Sequence, residues 1–368
     1  MPESILLTPG PVMVAKSILH EFSQPPIFHR YDEFEFLFHD TRQKLLKLLA
    51  TDSNKFVTAL FTGSGTMANE AVLSSAFKRD DKVLVVSNGD FGERLVHILM
   101  THHIPIAHLK LDWFSPINPE LVLNKFKHEK ASAIALVAME TSTGMLNPVQ
   151  EIRALLEREQ YENIPMFVDA ISAFGYEKFL VKDSSPMYIT SVLNKALEGP
   201  PGLSFACLSK TVLDVQPRQI PSSIYLDLFR YLDFSNRRQT PTTPSVSHIK
   251  ALNLALEHLS VETIEGRRTR YSNLTEVLVK QLIPLGFVPC IADEKLRAPS
   301  MICFGLPFSI DVNQLRSYLY EKEFVVWFPK YTFKSMPTMI VSVMGEVYLA
   351  HIEKFAQLIK AFLANKTF

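Results

Sequence analysis

The chain has 368 residues, and Lys+Arg and Asp+Glu both stand at 38, so its zero formal charge gives no basis for nucleic-acid binding. That length supports a large core and two domains, and 47% hydrophobic residues indicate a well-buried globular protein with an apolar surface to spare for a subunit interface. Cys207, Cys290 and Cys303 fall in no metal or CxxC spacing, the opening MPESILLTPGP lacks the basic start and apolar run of a secretory signal, and no stretch reaches membrane-span length, so a cytoplasmic protein with no metal or membrane partner is expected.

In chain order, FVTALF (56–61) reads as a short apolar strand that breaks at Gly63-Ser64-Gly65 and continues as the helix TMANEAVLSSAF. KVLVVSN (82–88) is a second strand, followed by Gly89 and a helix from about Phe91. AIALVAM (133–139) is a third, then the loop ETSTGMLNP and the helix VQEIRALLERE. PMFVDA (165–170), MYITSVL (187–193) and LSFACLS (203–209) follow, the last expected to pair antiparallel. Apolar runs alternating with amphipathic helices predict an α/β protein with a mostly parallel sheet covered on both faces, whose ligands bind beyond the carboxyl ends of the strands.

After about residue 255 the pattern changes. SVETIEGRRTRYSNLTEVLVKQLIPLGF predicts a long helix and its exit, SMICFGL (300–306) and TMIVSVM (338–344) predict strands, and VNQLRSYLYEKE and AHIEKFAQLIKAFLA predict amphipathic helices. This gives a large domain over 25–255, a smaller α+β domain over 256–368, and a segment 1–24 that packs across onto the small domain.

Two residues stand out chemically. Lys195 closes an apolar strand-like run and precedes the turn Gly199-Pro200-Pro201-Gly202, and Asp169 ends another such run upstream in FVDAISAFG. A lysine and an aspartate at two strand ends form the pattern of a pyridoxal phosphate (PLP) enzyme, which needs an amine to hold the aldehyde as a Schiff base and an acid to keep the pyridine nitrogen protonated. Four further clusters lie at turns. Thr62-Gly63-Ser64-Gly65-Thr66 has the glycines and helix start of an anion site, although a tight turn with an N-cap reads the same way. In NGDFGER, Phe91 is placed either to stack on a flat cofactor or to pack the helix start. Ser142 in ETSTGMLNP offers a hydroxyl at a strand end, and Thr240 and Thr243 in QTPTTPS offer two more just before a helix, in a segment that also reads as a linker.

Taken in order, LLTPGPV, GSGT, NGDFGER, ETSTGMLNP, VDAISAFG, NKALEGPPG, SSIYLDL, QTPTTPSV and MGEVY resemble the class-V, fold-type I PLP-dependent aminotransferases nearly end to end. The branch acting on 2-aminoethylphosphonate and pyruvate is the nearest match, and the alanine–glyoxylate and serine–pyruvate enzymes share most of the motifs. The resemblance implies a seven-stranded sheet and a homodimer with shared active sites. It implies amino transfer from a small amine donor to pyruvate or glyoxylate. It also implies roles for residues: Lys195 holds the cofactor and moves the proton, Asp169 meets the pyridine nitrogen, and Phe91 stacks on the ring. Ser64, Gly65 and Thr66 hold the phosphate, Ser142 lies near cofactor and substrate, and Thr240 and Thr243 reach the partner subunit's phosphate.

One position departs from the pattern. Where relatives carry a carboxylate-binding arginine, the segment MIVSVMGEV has Ile340, and an aliphatic side chain makes no ion pair. Arg30, in HRYDEF, and Lys330 or Lys334, just upstream of Ile340, are the candidate replacement cations, each equally readable as a surface charge. The loss also admits a substrate without the usual acid group, or a PLP-binding relative with impaired catalysis.

Overall fold

The computed structural model describes residues 4–49, 53–179, 185–215 and 221–364, so the outermost residues of the expected N-terminal segment and small domain (1–3 and 365–368) lie outside the description. Each apolar run of the first half becomes a strand. Val83–Ser87, Ala133–Val137, Met187–Val192 and Leu203–Ser209 are buried along their whole length, the condition of strands covered by helices on both faces. The strand period of two divides their side chains between two apolar layers: Leu84, Val86, Ile134 and Leu136 enter one, and Val83, Val85, Ala133 and Ala135 enter the other.

The sheet has seven strands in the order Phe56–Thr62, Leu203–Ser209, Met187–Val192, Met166–Asp169, Ala133–Val137, Val83–Ser87, Ile106–Lys110. Leu203–Ser209 runs against both of its neighbours, as expected, and the other pairings are parallel. The edge strand Ile106–Lys110 has no counterpart among the sequence-predicted strands. It is half-buried and carries His108 and Lys110, so it lacks the continuous apolar run that marks the central strands.

The C-terminal part builds a four-stranded antiparallel sheet from Val288–Pro289, Met301–Gly305, Met336–Ser342 and Thr332–Phe333. Helices Ile264–Leu282, Val312–Glu321 and Leu349–Ala364 accompany it. The N-terminal segment divides its contacts. Ile5–Leu7 pairs in parallel with Phe324–Val326, whereas helix Lys16–Phe22 turns to helix Val246–Glu262, where Phe22 meets the His248 ring at 4.7 Å. The division expected after residue 255 falls inside that last helix. The chain breaks instead at Thr263, which takes a positive φ of 70° and accepts the Gly266 N–H on its hydroxyl. Among the described residues no helix is long and apolar enough to cross a membrane.

Arg153 shows how the layers are tied. Its buried guanidinium, on helix Val149–Arg158, donates to the carbonyls of Ile164 (2.9 Å), Tyr161 (3.1 Å) and Glu162 (2.9 Å), just before strand Met166–Asp169 begins. Arg153→Leu strands those acceptors and is expected to cost about 2–4 kcal/mol of unfolding free energy in a denaturant melt.

Candidate active site

Asp169 is the last residue of its strand, and Lys195 lies just past the end of the neighbouring one, so parallel pairing brings both to the carboxyl edge of the sheet. The Lys195 turn is closed by Glu198 N–H donating to the Lys195 carbonyl (2.9 Å) and Gly199 N–H donating to the Leu193 carbonyl (3.0 Å). Burial lowers the Lys195 amine to a pKa of about 8; the Arg94 charge pushes the same way and Asp169 opposes it. Burial raises Asp169, against the Ile171 N–H (2.9 Å), the Asn69 amide (2.6 Å) and the charges of Lys195 and Arg94. Asn69 is itself held, since its amide oxygen accepts from the Thr190 hydroxyl at 2.6 Å, and Thr190 stands in register beside Asp169. Asn69 and Thr190 were absent from the sequence-derived site. The legible signal was a polar residue one turn into the helix after Ser64, and a threonine inside an apolar strand.

Helix Gly65–Ala76 starts at the same edge. Ser64 is extended there, with φ −77° and ψ 169°, and its hydroxyl makes no capping bond. The N–H groups of Gly65 and Thr66 have no intrahelical acceptor, which leaves an anion-binding cradle beside Ser64. A side chain at Gly65 would bring its Cβ to 2.5 Å from Ile171 Cδ1, so glycine lets the helix start sit directly on the loop after Asp169. An amine held half neutral near pH 8, a buried carboxylate and a cradle of free N–H groups at one sheet edge fit an aldehyde-bearing, phosphorylated pyridine.

Phe91 is the second residue of helix Asp90–Thr101 and is half-buried, with the Arg94 guanidinium 4.6 Å from its ring centre. The helix start rests on Glu140, which sequence reading passed over as part of a hydroxyl-rich loop. Glu140 is wholly buried and accepts from the N–H groups of Phe91 (3.3 Å), Gly92 (3.0 Å) and Ser142 (3.1 Å) and from the Ser142 hydroxyl (2.5 Å). Burial raises its pKa and these donors oppose the rise. Gly89 is required because a Cβ there would lie 2.4 Å from Glu140 Cγ. Ser142 also accepts the Asp90 N–H (3.1 Å), and its carbonyl takes the Tyr331 hydroxyl. Tyr331 stands edge-on to Trp113 at 4.7 Å.

The N-terminal motif reaches the site as well. A Cβ at Gly10, which has φ +149°, would stand 2.9 Å from Lys195 Cδ and Cε, so residues around Gly10 lie against the lysine side chain. The candidate cations stand at the surface. Arg30 is exposed and donates to the Gln239 side chain (2.9 Å) and the Thr240 carbonyl (3.4 Å). Lys330 and Lys334 are exposed, the latter over the Phe333 ring at 5.2 Å. Ile340 is fully buried in the small sheet, opposite Cys303 and bonded through its backbone to Trp327. Thr240 is buried with its hydroxyl on the Thr242 carbonyl (2.8 Å), and Thr243 is exposed. This segment lies at the edge of the large sheet, where Ser245 N–H meets the Thr62 hydroxyl (3.1 Å).

A family model for aminotransferase class V matches residues 18–327. The chain belongs to the class-V aminotransferases. This transaminase uses pyridoxal phosphate as its cofactor. It is 32% identical over 327 residues to an aminotransferase of Methanocaldococcus jannaschii, covering 88% of this chain and 83% of that one. It is 30% identical over 364 residues to a 2-aminoethylphosphonate–pyruvate transaminase of Bacillus cytotoxicus, covering 96% of each. The fold matches an alanine–glyoxylate aminotransferase from Nostoc with a TM-score of 0.88 at 23% identity, over 99% of this chain and 96% of that one. It also matches a ureidoglycine–glyoxylate aminotransferase from Bacillus subtilis with a TM-score of 0.89 at 22% identity, over 100% and 95%.

Gly10→Val, which drives a branched side chain into Lys195, is expected to slow cofactor capture at least tenfold, while far-UV circular dichroism stays unchanged. Stopped-flow absorbance of PLP uptake measures it. Asn69→Leu removes a donor from buried Asp169 and is expected to lower turnover about 10- to 100-fold, read in a steady-state assay at saturating cofactor.

Proposed function

We propose that this class-V transaminase moves the amino group of a small donor, with 2-aminoethylphosphonate first among candidates, to pyruvate or glyoxylate. The observation that carries the reading is the Lys195–Asp169 pair, in which a buried amine with a pKa of about 8 faces a carboxylate held by Asn69 and Ile171. Bound PLP supplies an aldehyde for the amine and a ring that accepts electrons. Lys195 would hold that aldehyde, and its Nζ, which burial biases toward the neutral form, would move a proton at the donor carbon. Asp169 would pair with the pyridine nitrogen and keep a proton on it. Ser64, Gly65 and Thr66 would hold the phosphate, Phe91 would stack on the ring, and Ser142 would serve cofactor and substrate.

The donor is proposed on the 30% identity to an enzyme named for that donor, spread over 96% of both chains. Alanine–glyoxylate or serine–pyruvate exchange is the nearest alternative. In a homodimer, Thr240 and Thr243 serve the partner's phosphate. Arg30, fastened to Gln239 and Thr240, travels with that segment and meets the substrate acid group from the neighbouring subunit, with Lys330 as the second candidate. A second reading, a PLP-binding relative with impaired catalysis, is favoured by one observation: Ile340 is fully buried in the small sheet, where it offers no charge to a carboxylate.

The deciding experiment offers the PLP-loaded protein a panel of amino acids and aminophosphonates and follows the visible spectrum. Loss of the cofactor band with aminoethylphosphonate, restored by pyruvate, supports the first reading; no response to any donor supports the second. PLP uptake should rise with pH through a midpoint at about 8 and level off about one unit higher, because only the neutral Lys195 amine attacks. A midpoint near the ordinary lysine value, or a band that survives Lys195→Ala, rejects the assignment of Lys195.

A further inference from the structure

Ile340, fully buried in the small sheet, offers no charge to a substrate acid group, but a cation stands on the helix that carries Phe91. Arg94 lies one turn after Phe91 on helix Asp90–Thr101, so the two side chains share a face, and the guanidinium carbon rests 4.6 Å from the Phe91 ring centre. The start of that helix is held at the site: Asp90 N–H donates to the Ser142 hydroxyl (3.1 Å) and Phe91 N–H donates to Glu140 (3.3 Å).

Arg94 is lightly engaged. Its Nη2 donates to Asp90 Oδ2 at 3.1 Å, and both side chains are partly exposed. Among the described residues its Nε and Nη1 make no hydrogen bond or ion pair. The adjacent Glu93 turns its carboxylate away, to Lys110 (3.0 Å) and Trp113 Nε1 (3.2 Å). The Arg94 charge nevertheless reaches the sheet edge. Burial lowers the Lys195 amine and Arg94 adds to that effect, whereas burial raises Asp169 and Arg94 works against it.

We infer that Arg94 receives the acid group of the substrate from the same subunit as Lys195, filling the role that Ile340 cannot, and so selects donors and acceptors that bear a phosphonate or a carboxylate. A planar fork with unspent N–H groups matches two oxygens of either group, and the Phe91 ring steadies its plane. The inference rests on the reading of Phe91 and Lys195 as cofactor residues, since a cation seated on Phe91 then stands beside whatever the cofactor holds. Arg30, proposed to approach from the neighbouring subunit, is the competing receptor.

The test uses the full chain saturated with PLP, with the visible band and circular dichroism recorded for each variant. Calorimetry measures the affinity for ethylphosphonate and propionate, which carry the acid groups of the donor and acceptor without a reacting amine or ketone, and for uncharged propionamide. Arg94→Gln is expected to weaken both acids at least about tenfold and to leave propionamide unchanged, and Arg94→Lys, which keeps the charge but loses the fork, to fall between. Asp90→Asn removes the carboxylate that competes for the guanidinium and is expected to tighten both acids about threefold, a gain that a packing role for the helix start does not give. Wild-type affinity in Arg94→Gln, weaker acid binding in Asp90→Asn, a loss confined to Arg30→Gln, or a wild-type protein that binds neither acid overturns the inference. Should Arg94→Gln unfold, Arg94→Lys and Asp90→Asn decide. A wild-type protein that develops no absorption band with PLP fails the cofactor reading and the inference with it; a normal wild-type band with unaltered acid binding in Arg94→Gln fails the inference alone.

Discussion

Two opposite charges taken out of water at neighbouring strand ends constrain the centre of this molecule. Burial alone disfavours both the Lys195 ammonium and the Asp169 carboxylate, and each relieves the other. Their meeting depends on the strand order, because Met166–Asp169 lies directly beside Met187–Val192 and runs parallel to it. The same register sets Thr190 next to Asp169, where its hydroxyl holds Asn69 against the carboxylate. The helix that carries Asn69 is the one whose start offers free N–H groups, so the sheet's pairing, the acid's support and the anion cradle are aspects of one packing arrangement.

A second buried carboxylate near the same edge behaves differently, and the contrast is informative. Glu140 meets backbone N–H groups and a hydroxyl, so its acceptor capacity is spent on the start of helix Asp90–Thr101 and on the loop of Ser142. Asp169 has fewer donors and sits in the field of Lys195 and Arg94. Environment separates the two carboxylates: Glu140 shapes the wall that carries Phe91 and Ser142, and Asp169 stands with two donors beside the charges of Lys195 and Arg94.

The cover of the site comes from distant parts of the chain. Residues around Gly10 lie on Lys195, Met13 lies on Gly345, and strand Ile5–Leu7 joins the small domain. By contrast, Arg30 and the 239–243 segment gather at the edge of the large sheet and bind each other. Arg30 and Thr243 are exposed there.

Much of this was legible in the residues themselves. Continuous apolar runs gave the central strands, because a strand covered on both faces has no polar side, and punctuation by Gly63-Ser64-Gly65, Gly89 and Gly199-Pro200-Pro201-Gly202 marked the edge where Asp169 and Lys195 stand. The edge strand Ile106–Lys110 escaped because solvent on one side removes that signature. Asn69, Thr190 and Glu140 escaped for a different reason. Each is an ordinary polar residue in sequence, and its partners lie far along the chain: Asp169 for Asn69, and Phe91 and Gly92 for Glu140. Local chemistry therefore determined which central strands form and that a lysine and an aspartate close two of them, while the tertiary structure decided that those two strands are neighbours, which buried polar groups surround the pair and that Arg30 binds the 239–240 segment, since these depend on contacts no local pattern encodes.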